Sequence, residues 1–206
     1  FDGPMNQLCI RLSRIPALCR LWGIPEPEPE ELEGGPPSED RVKNEGFREM
    51  TDVELVLRFF AYRQKHRLHR SGEPLGSYFD RYLRKANFFP VDTLDALGDL
   101  FEKTINFADE LLGYRAFFLY RKRTRAGKDN WAWLERPTIT AYDPLMYILS
   151  ELLPQKEPLL MRREQIQIDI ETFYQENYET FEGRNVNPSA LTEREERYRE
   201  FLQKYL

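Results

Sequence analysis

Apolar residues recur at helical spacing along most of the chain, most densely between Met50 and Ala61. There Thr51 with Glu54 fits a capping box, in which each side chain satisfies the other's free backbone N–H. Val53, Val56, Leu57 and Phe60 form one stripe, while Leu55, Phe59 and Tyr62 form a second. A surface that broad predicts a helix packed against several partners and fading near His69, with the first stripe at the centre of the core. Upstream, Met5, Leu8, Cys9, Leu12, Ile15, Leu18, Cys19 and Trp22 keep the same period, and Pro16 breaks them into two short helices. Downstream, Leu75, Tyr78, Phe79, Tyr82, Leu83 and Ala86 share one face of a helix that Pro90 ends. The next run, Leu94, Leu97, Phe101, Ile105, Ala108 and Leu112, stays in register until Gly113, a C-terminal stop.

Residues 114–141 break this rhythm. Ala116-Phe117-Phe118-Leu119-Tyr120 reads as a short strand or a buried crossing segment, followed by a basic stretch and by Trp131 and Trp133. Helices resume at Asp143, an N-cap before Pro144, with Leu145, Ile148, Leu149 and Leu152 aligned. Pro158 opens the next. Residues 165–170 alternate with period two, yet Ile166, Ile170, Phe173, Tyr174, Asn177, Tyr178 and Phe181 continue a helical face, which favours helix. Thr192 with Glu195 makes a second capping box for a last helix burying Tyr198, Phe201, Leu202 and Tyr205. Between the first helices and Met50, residues 23–46 turn to proline, glutamate and glycine, a composition expected of a loop or mobile linker. The expected fold is all-α, an irregular bundle of about six to eight helices with a short non-helical segment around 114–141. Its expected parts are a helical arm over 1–22, a linker over 23–46 and a main helical domain over 47–206.

Composition narrows the class. A chain of 206 residues, 41% hydrophobic and 14% aromatic, can bury a sizeable core. It has no apolar run near the roughly 18 residues that a membrane-spanning helix needs, and no secretory signal at its start. That start lacks an initiator Met, so the natural protein is expected to continue upstream. Cys9 and Cys19 are too few for a disulfide framework and are expected to be small buried hydrophobes in a reducing cytosol. A cytoplasmic protein with no membrane partner is the expectation.

Charge adds a local signal. The net charge is −5, but Arg58, Arg63, Lys65, Arg67 and Arg70 follow one another without an acid, as do Arg115, Arg121, Lys122, Arg123, Arg125 and Lys128. Two such segments on an acidic protein suggest phosphate contacts. Beside the second, Trp131 and Trp133 supply rings for stacking; the plainer reading is a solvated loop next to two core tryptophans. The candidate nucleic-acid residues are therefore Arg63, Lys65, Arg67, Arg70, Arg121, Lys122, Arg123, Arg125 and Lys128. Arg58 sits inside the apolar run, where a charge is expensive unless paired, so a carboxylate partner or a helix end to cap is expected for it, with contact to a neighbouring domain or a phosphate as the functional alternative. His66 and His69 have helical spacing for a metal but no third ligand nearby. The phosphate-cradling Gly-rich loop, the Gly-x-Ser-x-Gly elbow and the Asp/Glu-x-Lys pair are all absent from the sequence, and two histidines cannot build a His-Asn-His nuclease. No catalytic, cofactor or metal residue is assigned.

Gly3-Pro4-Met5-Asn6, Arg20-Leu21-Trp22-Gly23 and Asp52-Val53-Glu54-Leu55-Val56-Leu57-Arg58-Phe59-Phe60-Ala61 together resemble the helical half of the GmrSD-type family of DNA restriction and phage-defence proteins. Leu100-Phe101 and Ala116-Phe117 look like later landmarks of that family. The resemblance implies a scaffold beside an N-terminal ParB/sulfiredoxin-like domain, whose Asp-Gly-Gln-Gln-Arg motif, linked to nucleotide hydrolysis, does not occur here. Longer members add a His-Asn-His nuclease, also absent from these residues. No cofactor is implied for this chain, whereas nucleotide and divalent metal are implied for the parent protein. The implied partners are its own catalytic domain and DNA; a second copy is expected apart from the resemblance. A family-like arginine near the last helix matches Arg194 or Arg197. The alternative is a protein-interaction or oligomerisation module that binds no nucleic acid.

Overall fold

The computed structural model describes residues 2–70, 72–125, 128–182 and 187–206. Among them the chain is predominantly helical, with fourteen α-helices and one two-stranded sheet. The helices exceed the six to eight expected because breaks at Gln64, Arg162 and Asn177 divide expected long helices, and because the expected linker is itself partly helical. No described helix is long and apolar enough to cross a membrane. Two compact units divide the chain, residues 1–105 and 106–206.

In the first unit, α1 (Pro4–Leu12) and α2 (Pro16–Trp22) each begin on a proline, whose missing N–H would have no helical partner there anyway. Gly23, at φ 69°, ends α2 in the left-handed conformation. Met5, Leu8, Leu12 and Leu18 are fully buried, so these helices belong to the core of the unit rather than to a separate arm. The Pro/Glu-rich tract also departs from expectation. It holds α3 (Pro29–Leu32), α4 (Glu39–Lys43) and α5 (Glu45–Arg48). Ser38 and Asn44 cap the last two by accepting from Arg41 N and Phe47 N, which gives short polar helices an ordered start.

The helix α6 (Thr51–Arg63) packs against α1, α2, α5 and the later α8 (Leu75–Ala86). Its deep face is Leu55, Val56, Phe59, Phe60 and Tyr62. Val53 and Leu57, expected in the core, are only half-buried. The helix turns its more aromatic side inward, where burial removes more apolar area from water. Phe59, Phe60 and Phe101 meet with ring centroids 5.3–6.0 Å apart. The capping box is not formed. Met50, at φ 57°, is the N-cap, Thr51 is already helical, and Glu54 pairs with Arg58 one turn on. After α6 come the short α7 (Lys65–Leu68), α8 with five of the six expected residues buried and Leu75 half-buried, and α9 (Val91–Leu112), within which the unit boundary falls.

The second unit opens with the last turns of α9, which a 3-10 turn at Gly113–Arg115 follows, Gly113 at φ 63° stopping the helix as expected. Ala116, Phe117 and Leu119 are buried before an antiparallel hairpin, β1 (Tyr120–Arg125) with β2 (Lys128–Trp133). Then α10 (Ile139–Glu151) begins four residues before Asp143. Thr138 caps it, and its N–H bonds Phe117 O, while Asp143 and Pro144 are buried inside. Next come α11 (Lys156–Met161), α12 (Arg163–Glu176), α13 (Tyr178–Phe181) and α14 (Pro188–Gln203). In α12, Ile166 and Ile170 are buried while Ile168 is 67% exposed, so the period-two run is helix, as favoured. The last helix starts at Pro188 under an Asn187 cap; Thr192 lies within it and its hydroxyl donates to Pro188 O. Phe173, Tyr174, Phe181, Tyr198 and Phe201 form an aromatic core, where Tyr174 and Tyr198 share a 2.7 Å hydroxyl hydrogen bond. Burial drives both of those phenols upward in pKa.

Candidate nucleic-acid interface

The hairpin register sets Tyr120 opposite Trp133, Arg121 opposite Ala132, Lys122 opposite Trp131 and Arg123 opposite Asn130. Because side chains alternate across a strand, Tyr120 and Lys122 share one face with the two tryptophans, and Arg121 and Arg123 occupy the other. Tyr120 stacks on Trp131 at 5.9 Å and meets Trp133 at 5.3 Å. Trp131 meets the edge of Tyr178 at 5.5 Å, and Trp133 meets Tyr174 at 5.9 Å while donating from Nε1 to Glu171 Oε1 at 2.8 Å. The rings expected to stack on bases therefore fasten the hairpin to α12 and α13.

The cations do not follow this division of faces. Arg121 donates to Phe181 O at 2.5 Å, the C-terminal end of α13, and beside it Arg194 donates to Thr180 O at 3.0 Å. Both guanidiniums thus satisfy helix-end carbonyls. Lys122 and Arg123 are exposed, Arg123 at 4.0 Å from Glu135, a surface pair of little energetic weight. The side chains of Arg125 and Lys128 lie outside the described part. Arg115 lies on its own turn with its guanidinium 5.1 Å from the Tyr114 ring and 5.0 Å from Trp133.

The other basic stretch belongs to the first unit. Arg58 has the carboxylate expected for it, Glu54 at 3.2 Å, and lies over Phe79 at 4.9 Å. Arg63 lies 5.8 Å over Phe59. Lys65 is not a surface cation: it is buried, 4.6 Å over Tyr62 and 2.6 Å from His66 Nε2. Arg67 and Arg70 are exposed. His69 Nε2 is 2.8 Å from Glu73 O, and among the described residues no group of three His, Cys, Asp or Glu side chains converges as a metal site. The loop before α8 is held by a bidentate pair, Arg81 Nε to Glu73 Oε1 at 2.9 Å and Nη2 to Oε2 at 2.7 Å. Those charge-assisted bonds hold the Glu73 carboxyl down at about 2.

Sequence reasoning missed a second set of charges. Arg41 and Glu31, in the tract expected to be a linker, are both buried, with Arg41 Nε 2.9 Å from Glu31 Oε2. The contact is ionic rather than a well-aimed hydrogen bond. Arg41 Nη1 also donates to Pro25 O, and the guanidinium lies 4.5 Å over Phe47. Arg14 approaches the other Glu31 oxygen at 3.6 Å. Both cysteines are buried and free; burial pushes the Cys9 thiol up to about 12 and raises that of Cys19, so neither is a ready nucleophile. Asp52, buried close by, also has its pKa raised by burial. Compared with protein-family models, curated proteins and solved structures, the chain matches none.

Proposed function

We propose that this chain is the helical scaffold of a GmrSD-like, DNA-targeting restriction or defence protein, and that it meets the DNA backbone through the β1–β2 hairpin. The observation that carries the reading is the hairpin's division of labour. Its rings are anchored inward while Lys122 and Arg123 stand in solvent. Exposed cations on a ribbon whose aromatics are occupied suit phosphates rather than base edges, so the contact would position the protein without reading sequence. The segment Asp52–Ala61, where the family resemblance is most specific, forms the most enclosed helix of the first unit, in keeping with a supporting role. Nucleotide and divalent-metal chemistry belongs, in this reading, to a ParB/sulfiredoxin-like catalytic domain of the same protein.

Titrating duplex DNA at low and moderate salt tests this. Each phosphate contact contributes a slope of roughly −0.9 in log affinity against log salt. The double variant Lys122→Ala, Arg123→Ala is expected to flatten the slope by about 2. Absence of binding at low salt, or a slope untouched by the variant, would reject the surface. A second reading, an interaction or oligomerisation module, has its own support in Phe88 and Val91, 88% and 70% exposed on either side of Phe89-Pro90. Light scattering on the intact chain and on Phe88→Glu separates the two: a dimer that the variant dissolves favours the second.

A further inference from the structure

Beneath the base of the hairpin, wholly within the second unit, lies a cleft of about 210 Å³. Leu112 and Ile170, both buried, form apolar wall, and Trp133 and the exposed Tyr114 supply aromatic surface. Gln167, Ile170 and Glu171 reach it together because residues three and four apart share one helix face of α12. The polar groups are unevenly used. Glu171 gives Oε1 to the Trp133 indole, leaving Oε2 without a described hydrogen bond. Gln167 spends its amide N–H on Leu111 O at 2.8 Å, which leaves its carbonyl oxygen as an acceptor. Arg115, held by two rings, makes no ion pair among the described residues, although Glu171 lines the same cleft.

The charges of Arg115 and Glu171 cancel, so the cleft disfavours a free anion or cation and favours a neutral group with an acceptor beside donors. Its size, below the roughly 300–1,000 Å³ of drug-sized pockets, suits a single planar ring system. We propose that this cleft binds a guanine base, Arg115 donating to the base's O6 or N7 and Glu171 Oε2 with Gln167 Oε1 accepting from its N1–H and 2-amino group. Arginine on O6 and N7 is the commonest guanine contact, and a carboxylate matches the paired donors of the opposite edge. Adenine keeps N7 but presents a donor in place of O6 and, at N1, an acceptor to the carboxylate, and it lacks the 2-amino group. Only the source of the base, an unpaired strand or a free nucleotide, rests on the hairpin reading above.

Calorimetric titration of the whole chain with GMP, IMP and AMP tests the assignment, since all three carry the same phosphate. GMP is expected to bind, IMP several-fold more weakly for want of the 2-amino group, and AMP not measurably. Glu171→Gln keeps an oxygen for the Trp133 indole but turns the second acceptor into a donor, and is expected to weaken GMP by about tenfold or more. Arg115→Gln gives an independent loss, with far-UV circular dichroism confirming the fold of each variant. Equal affinity for the three nucleotides, no GMP binding at millimolar concentration, or full GMP affinity in both variants would overturn the proposal. GMP has no duplex backbone, so this result stands apart from the salt titration of the hairpin. Short oligothymidine with one central guanine, set against GMP, then distinguishes a strand from a free nucleotide as the source.

Discussion

Two stretches rich in charge behave in opposite ways. In the Pro/Glu-rich tract, the charges of Glu31 and Arg41 are buried and the surface is left to prolines and further glutamates. In the hairpin, the aromatic rings turn inward and Lys122 and Arg123 remain in water. Each segment is ordered, but by a different force: ion pairing with carbonyl capture in the first, ring packing in the second. A buried pair is costly to interrupt because removing one partner strands the other charge in a low dielectric. A ring anchor loses only area and contacts, and leaves no orphaned charge. Exposed cations of this kind contribute little to folding.

The contrast sharpens into a ranking of substitutions. Arg41→Ala leaves Glu31 buried without its closest cation and is expected to destabilise by about 3–5 kcal/mol, measured by urea unfolding. The double variant Glu31→Leu, Arg41→Met is expected to recover most of that, since well-packed apolar groups often replace a buried pair without loss. If the double variant is as unstable as the single, the loss does not come from a stranded Glu31 charge. Trp133→Ala removes a half-buried ring and the indole bond to Glu171, for about 2 kcal/mol. Its mark is loss of amide-exchange protection in β1 and β2, with the first unit unaffected.

This ranking also shows what could be read from the chain. The α8 face, the Gly113 stop and the helix over residues 163–176 were legible because apolar period and punctuation agree there. Two helix starts were not. Asp143-Pro144 and Thr192 with Glu195 are good capping signals overridden by Thr138 and by Asn187-Pro188, which begin the helices a turn earlier. The Glu31–Arg41 pair was invisible, because composition marks such a tract as disordered and nothing local announces a partner ten residues away. Of the candidate cations, charge runs identified Lys122, Arg123, Arg67 and Arg70 as surface groups but not the burial of Lys65, which depends on how α7 folds against Tyr62. Arg115, Trp133 and Glu171 are brought together only by the tertiary fold.

Acid separates two carboxyls of the first unit by sign. Glu73 lies at about 2 when folded, below its ordinary 4.5, so the stability it contributes is present above 4.5 and is lost as pH falls from there toward 2. Asp52 is shifted the other way, so what it contributes is full below 3.8 and fades as pH rises through its elevated folded value. Glu73→Gln is expected to flatten the acid limb of the stability curve, and Asp52→Asn to steepen it. Urea midpoints across that range check both; parallel curves for the two variants would contradict the assignment.

The smallest effect on stability is expected where the functional effect is largest. Lys122→Ala with Arg123→Ala removes two exposed side chains, and the pair of Arg123 with Glu135, at 4.0 Å, is a surface contact. Such changes ordinarily stay within about 0.5 kcal/mol of the parent. The same variant is expected to take about 2 from the salt slope of DNA binding, because each lost cation no longer displaces a counterion. A hairpin whose cations were structural would show the reverse, a clear drop in unfolding free energy with an unchanged slope. Measuring both quantities on one preparation therefore decides whether the outward charges of the ribbon serve a ligand or the fold, which the buried charges of Glu31 and Arg41 serve by position alone.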